Sequence, residues 1–233
     1  MPLRDHFRPP LSLRRHWHAF HNGWASSIAA DLNTRLPDGY FAEPNVQFGI
    51  EIDVAAFEEG SAGALGVAQG TAWAPPSPAL TVPLPMLTDL VEVAVYNAEA
   101  GPVLAGAIEL VSPSNKDRPS HREAFLAKCR SYLQEGVGLV IVDIVTDRRA
   151  DLHALLLEQL DEARPPQTTG ADLYASGYRP IGRGDRTWLD IWHEPISPGI
   201  SLPTVPLWLR GGLCLPVDLD ASSERTCREQ RIS

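Results

Sequence analysis

Apolar positions recur along this chain in three patterns, and each predicts a different element. Near-continuous runs come first. Leu104–Val111 and Gly138–Val145 are apolar at almost every position, as strands buried on both faces are. Between them lie a polar turn, Ser112-Pro113-Ser114-Asn115-Lys116, and a helical segment from His121 to Glu135 with Phe125, Leu126, Cys129, Tyr132 and Leu133 inward. Gly136 follows as a C′ residue. Strand, turn, helix and strand at this spacing predict a βαβ unit, whose parallel strands need a crossover of about a dozen residues.

Helical stripes are the second pattern. Trp17, Phe20, Trp24, Ile28 and Leu32 predict a helix from about Leu13 to Leu36, with Ser12 as N-cap and Pro37-Asp38-Gly39 as its stop. Leu152, Leu155, Leu156 and Leu160 predict another over Asp151–Glu162, ended by Pro165-Pro166.

Alternation is the third. Tyr40–Phe57 reads as extended, interrupted at Pro44 and bent at Gly49, and Glu51 and Asp53 share one strand face. Leu90–Tyr96 predicts a strand that turns at Asn97–Gly101 and returns as Pro102–Val111, a hairpin with the central strand. If residues 97 and 102 close that turn, Glu92 lies beside Glu109; a one-residue slip separates them. Trp188–Trp192 and Leu202–Leu209 read as short strands among prolines.

These elements suggest one domain over residues 1–233. It carries an extended N-terminal arm (1–12, with Pro9-Pro10) and a proline-rich C-terminal extension from about 165 to 233. Glu58–Pro85, rich in Gly, Ala, Ser and Pro, is a surface excursion with Trp73 as a docking point.

Charge changes the picture more than composition does. The formal net charge of −9 argues against a surface that coats nucleic acid nonspecifically. No lysine or arginine occurs between Arg35 and Lys116, while Glu51, Asp53, Glu92 and Glu109 fall inside that gap. An anionic substrate there needs a metal, or the basic residues Arg14, Arg15, Arg225, Arg228 and Arg231 near the chain's ends. Cys129, Cys214 and Cys227 are odd in number and far apart, which suits reduced thiols. The first residues contain no signal-peptide core, and no apolar run reaches the roughly 20 residues of a membrane helix. A cytoplasmic protein without a membrane partner is expected, and a homodimer is left open.

The candidate chemistry centres on Glu109, a carboxylate inside an apolar strand. Such a group is costly unless it is paired or binds a metal. Asp53, Glu92 and Glu109 are candidate ligands for Mg²⁺, which takes one or two carboxylates and fills its shell with water and substrate phosphate. Lys116 and Lys128 are the only lysines, and either can complete a hydrolytic site by orienting water or stabilising developing charge. His16, His18 and His21 lack the spacing of structural zinc ligands, and a surface or capping role is expected of them. Ser112, Ser114 and Ser120 lie in no G-x-S-x-G elbow, and neither a P-loop nor G-x-G-x-x-G occurs.

The block Ala107-Ile-Glu109-Leu-Val-Ser112-Pro-Ser-Asn-Lys116, with Lys128-Cys-Arg-Ser-Tyr132, Gly136-Val137 and Val142-Asp143, resembles a bacterial family known as domain of unknown function four-zero-five-eight. Trp17-His-Ala-Phe-His21 and Leu202-Pro-Thr-Val-Pro-Leu207 extend the resemblance over nearly the whole chain. The central block is also similar to Uma-type endonuclease-like proteins, with Glu-x-x-Ser and then Lys-x-x-x-Tyr on a helix, which belong to the PD-(D/E)XK nuclease superfamily. The resemblance implies a restriction-endonuclease-like α/β core: a helix, a three-stranded meander, a crossover helix and a fourth strand, forming a mixed central sheet flanked by helices. It implies a Mg²⁺ site with Glu109 as the third-strand acid and Asp53 or Glu92 as the second-strand acid. The usual lysine two residues after the third-strand acid is replaced by Val111, and the resemblance offers Lys128 or Lys116 instead.

The leading expectation is a Mg²⁺-dependent nuclease. The rivals are an interaction module that has lost the site, and a metal-dependent hydrolase of a small anionic molecule. Convergence of Glu109, a second acid and a lysine in one cleft favours the enzymes.

Overall fold

A computed structural model describes residues 2–48, 50–58, 73–84, 103–160 and 173–232. Its organising element is a mixed sheet of seven strands. In chain order the elements begin with α1 (Trp17–Asn33), β1 (Tyr40–Phe48), β2 (Ile50–Glu58), β3 (Leu80–Pro83), β4 (Val103–Leu110), α2 (Pro113–Asp117) and α3 (Pro119–Gln134). They continue with β5 (Gly138–Asp143), α4 (Leu152–Leu160), β6 (Tyr174–Arg183), β7 (Arg186–Pro195), β8 (Thr204–Trp208), β9 (Cys214–Asp218) and α5 (Leu219–Glu229). The strand order is β1-β2-β4-β5-β6-β7-β3, and β8-β9 form a separate ribbon. Among the described strands only β4 and β5 are parallel, joined through α2 and α3 as the βαβ reading expects.

Every residue of β5 is buried, as are all residues of β4 but the first, so the alternation that marks a half-exposed strand is missing from both. Alternate side chains serve two separate cores. Ile108, Leu110, Val140 and Val142 join α1, α5 and the β8-β9 ribbon on one face, while Ala107, Leu139 and Ile141 join α3 and α4 on the other. Glu109 falls between Ile108 and Leu110 and therefore faces α3.

The ribbon lies hard against the sheet. A Cβ on Gly138 would sit 1.6 Å from the Trp208 carbonyl oxygen, and one on Gly177 would sit 2.6 Å from that of Pro206. Glycine is required at both positions because backbone occupies the space a side chain would need.

Several expectations are corrected. The helix expected from Leu13 starts at Trp17 with His16 as N-cap, because Leu11–Leu13 form a 3₁₀ turn first. Residues 2–12 are no extended arm: Leu3 is buried and exchanges hydrogen bonds with Gly199 and Ile200, and His6 stacks on Phe20 at 3.8 Å. The polar turn after the central strand is the short helix α2. Ser112 and Asn115 form a capping box and Pro113 occupies its first turn, helix-start signals inside what reads as a turn. The strand expected at Leu90–Tyr96, and Glu92 with it, lies outside the described residues. The antiparallel neighbour of β4 is β2, with Val54 opposite Ile108.

Of the C-terminal arginines, Arg225 and Arg228 are paired within α5, and Arg231 lies beyond its end. Arg225 meets Glu229 at 2.8 Å and Arg228 meets Glu224 at 3.5 Å, while small residues dock the helix on α1. There the Trp24 indole N–H donates to Ser222 Oγ and the Thr226 hydroxyl to Ser27 Oγ. Cys129, Cys214 and Cys227 are free thiols. Among the described residues no helix is long and apolar enough to cross a membrane.

Helix α4 docks through a polar contact with a pH consequence. His153 Nδ1 lies 2.7 Å from Tyr178 Oη, and its ring stacks on His193 at 4.3 Å. Burial, and next the His193 imidazole, lower its pKa to about 3 from an ordinary 6.5. Between those values the unfolded chain binds the proton and the folded chain does not. The contribution is intact above pH 6.5 and shrinks as pH falls, by about 2 kcal/mol at pH 5. Urea titrations at pH 7 and pH 5 are expected to show a smaller acid loss in His153→Gln than in the wild type. Equal losses would remove His153 from the account.

Candidate active site

The end of β4 is where the sheet opens. One residue beyond the Val54–Ile108 pair, Asp53 reaches around the strand end, and its Oδ2 accepts the Leu110 N–H at 2.7 Å. From the other side of the strand end, α1 supplies His21. Its Nε2 lies 3.0 Å from the Leu110 carbonyl oxygen and 3.2 Å from Asp53 Oδ1. Bonding to a carbonyl requires that nitrogen to carry the proton, so His21 donates to both oxygens. Asp53 is thereby fixed by two donors. It and His21 remain 13% exposed, enough for a ligand to reach them.

Across the cleft, Lys128 on α3 donates to Glu109 Oε2 at 2.7 Å. The side chains are 15% and 3% exposed respectively, so the ammonium sits at the cleft wall and the carboxylate beneath it. Burial works against the ammonium, but the Glu109 carboxylate and its hydrogen bond, with Cys129 and Asp53, outweigh it and raise the Lys128 pKa above its ordinary value. Lys128 is thus a fixed cation at neutral pH and is not a base. One turn on, burial and then Glu109 push the Tyr132 phenol upward, and its buried Oη has no hydrogen-bond partner among the described residues.

Asp53, Glu109, Lys128 and His21 line one cleft of about 250 Å³, with Ser112 and Asn115 on its α2 side. The convergence of Glu109, a second acid and a lysine named in the sequence reading is met by Asp53 and Lys128. The other candidates stand elsewhere. Lys116 does not line this cleft. It donates to Asp143 Oδ2 at 2.8 Å, with both side chains fully buried. Burial pushes the Asp143 carboxyl up to about 6 against the pull of Lys116 and the Val145 N–H. Glu92 lies outside the described residues.

Sequence reasoning missed His21, for which a surface or capping role was expected. The available signal was its i, i+4 spacing from Trp17, whose ring lies 5.5 Å away, and its place beside the buried Phe20. Nothing local announces Asp53 as its partner, 32 residues on.

Asp53 and Glu109 are the two carboxylates that line the cleft, while the His21 Nε2–H is spent on Leu110 and Asp53. Among the described residues no three His, Cys, Asp or Glu side chains close into a metal-holding group by themselves. Mg²⁺ commonly takes one or two carboxylates and fills the rest of its shell with water and substrate oxygens. Compared with protein-family models, curated proteins and solved structures, the chain matches none. The family resemblance rests on its motif residues alone.

Proposed function

We propose that this chain is a Mg²⁺-dependent phosphodiesterase acting on nucleic acid, built on the PD-(D/E)XK plan. The observation that carries the proposal is the meeting of Asp53, Glu109 and Lys128 in one cleft at the end of the central strand. The order of elements supports it: α1, the neighbouring antiparallel strands β1, β2 and β4 (with β3 carried to the far edge of the sheet between the last two), the crossover helix α3, and β5 parallel to β4. Asp53 then stands on the second of these three neighbouring strands and Glu109 on the third. Val111, two residues after Glu109, is wholly buried in the α3 core, so the cation comes from the helix, as Lys128.

Asp53 and Glu109 would hold the Mg²⁺. When bound, the ion supplies positive charge against a phosphoryl oxygen and acidifies a water. The protein's own groups do the positioning. The Leu110 N–H and His21 hold the Asp53 carboxylate at a fixed angle. Lys128, already charged, orients the attacking water and stabilises the negative charge that builds on the phosphoryl oxygens. Placing these donors beforehand lowers the barrier, because little reorganisation is left for the reaction itself.

Calorimetric titration with Mg²⁺, and with Mn²⁺ as a second probe, tests the cofactor directly. Wild type is expected to bind one ion and Glu109→Ala none. Absence of heat in both proteins sinks the metal-dependent reading, whatever a cleavage assay shows.

A further inference from the structure

The arginines of this chain divide into two sets. Arg35, Arg148, Arg183, Arg225 and Arg228 each meet a carboxylate within 4.0 Å. Several others meet none among the described residues, and Arg118, Arg122 and Arg149 are three of these. Arg122 donates only to the carbonyl oxygens of Lys116 and Asp117, at 3.0 and 3.4 Å. These three come from separate segments: the α2–α3 junction, the first turn of α3, and the loop between β5 and α4.

Arg122 and Arg149 line a cavity of about 510 Å³ that opens at the first residues of α4. The carboxylates close by are engaged elsewhere. Asp151 lines the cavity but caps α4, accepting the Ala154 N–H at 2.9 Å. Asp117 lies 3.5 Å from Arg148, and Lys116, also in the cavity wall, is tied to Asp143. Only α2 separates this cavity from the cleft at Glu109, since Ser114 and Asn115 line the cleft and the next residue, Lys116, lines the cavity. An α-helix is ~10 Å across. A nucleic-acid strand carrying a phosphate every ~3.4 Å of axis spans that in about three nucleotides.

We infer that the cavity between Arg122 and Arg149 is a phosphate subsite that grips the substrate strand beside the bond cut at Glu109 and Lys128. The inference rests on the nuclease reading and deepens it, by placing the backbone contacts on α3 and the β5–α4 loop. Paired guanidinium groups suit this role because each presents planar N–H donors to phosphate oxygens. The terminal arginines of α5, neutralised by Glu224 and Glu229, take no part.

The test is binding without cleavage. Fluorescence anisotropy with a labelled single-stranded DNA, and an RNA of the same sequence, is measured in EDTA over a salt series. The proteins are wild type, Arg122→Gln/Arg149→Gln, and Arg225→Gln/Arg228→Gln, each checked for folding by circular dichroism. The first double variant is expected to bind about tenfold more weakly, with a log–log salt slope shallower by roughly 0.7 for each phosphate no longer neutralised. The second is expected to match wild type. Equal affinity and slope in wild type and Arg122→Gln/Arg149→Gln overturn the subsite and leave the nuclease reading standing. Failure of wild type to bind either polymer overturns the subsite too, and metal calorimetry then judges the catalytic reading separately. Which polymer binds more tightly decides between DNA and RNA as the substrate.

Discussion

Glu109→Gln is expected to lower Mg²⁺-dependent cleavage by about 10³-fold while leaving the chain folded. Glutamine keeps the shape of the side chain and can still accept the Lys128 hydrogen bond now made at 2.7 Å. What it loses is the charge that a metal requires. Lys128→Met is expected to cost less, about 10²-fold, and to leave metal affinity unchanged, because in the proposed mechanism Lys128 acts on the water and the phosphoryl group and does not bind the ion. The asymmetry separates catalysis from structure. If Glu109 and Lys128 were only a buried ion pair, both substitutions would lower the melting temperature alike and neither would bear on cleavage. The Lys128 pKa is raised, so its charge persists up to its ordinary value near 10.4 and beyond. The wild-type rate should accordingly show no loss attributable to Lys128 as pH rises from 7 to 9. Single-turnover cleavage of a labelled oligonucleotide across that range measures all three effects. Wild-type activity in Glu109→Gln would falsify the assignment.

How much of this was legible in the chain follows from how local each signal is. The β4–α3–β5 unit was readable because strands buried on both faces are apolar at successive positions, and because α3 repeats its apolar residues at helical spacing. Glu109 was readable for the same reason, as a charge among residues that leave no solvated face. Strand pairing was not readable. The run at Ile50–Val54 and the run at Leu90–Tyr96 are equally suited to flank β4, and only the folded chain places β2 there. The choice between the lysines was also non-local, since it depends on Asp143, at the end of β5, claiming Lys116. Strand β6 was hidden because Tyr-Ala-Ser-Gly-Tyr-Arg-Pro contains both a glycine and a proline, and Gly177 is there for the approach of Pro206. Helix α5 was hidden because it buries serine and threonine, which pack and hydrogen-bond against α1 without leaving an apolar stripe.

Asp143→Ala should have the largest effect on stability, about 3–5 kcal/mol. The carboxylate and the Lys116 ammonium are both fully buried, and Asp143 Oδ1 also accepts the Val145 N–H at 3.0 Å. Removing the carboxylate strands an ammonium in the interior and frees an N–H at the end of β5. Net stabilities of folded domains are about 5–15 kcal/mol, so this one change removes a large part of the total. For a chain of this size it corresponds to a melting temperature lower by roughly 10 °C. The double substitution Lys116→Met/Asp143→Leu is expected to regain most of the loss, because replacing both charges with apolar side chains also removes the desolvation cost that pushes Asp143 up to about 6. Thermal melts of the three proteins measure this, and equal destabilisation in the single and double variants would mean that the charges themselves are not what holds the pair. The pair also sets where α2 sits. Lys116 is the buried anchor of a five-residue helix whose preceding residues, Ser114 and Asn115, form a wall of the cleft at Glu109. A double variant that recovers stability yet cleaves more slowly would show that the ion pair fixes the position of α2, a role that matched apolar side chains do not reproduce.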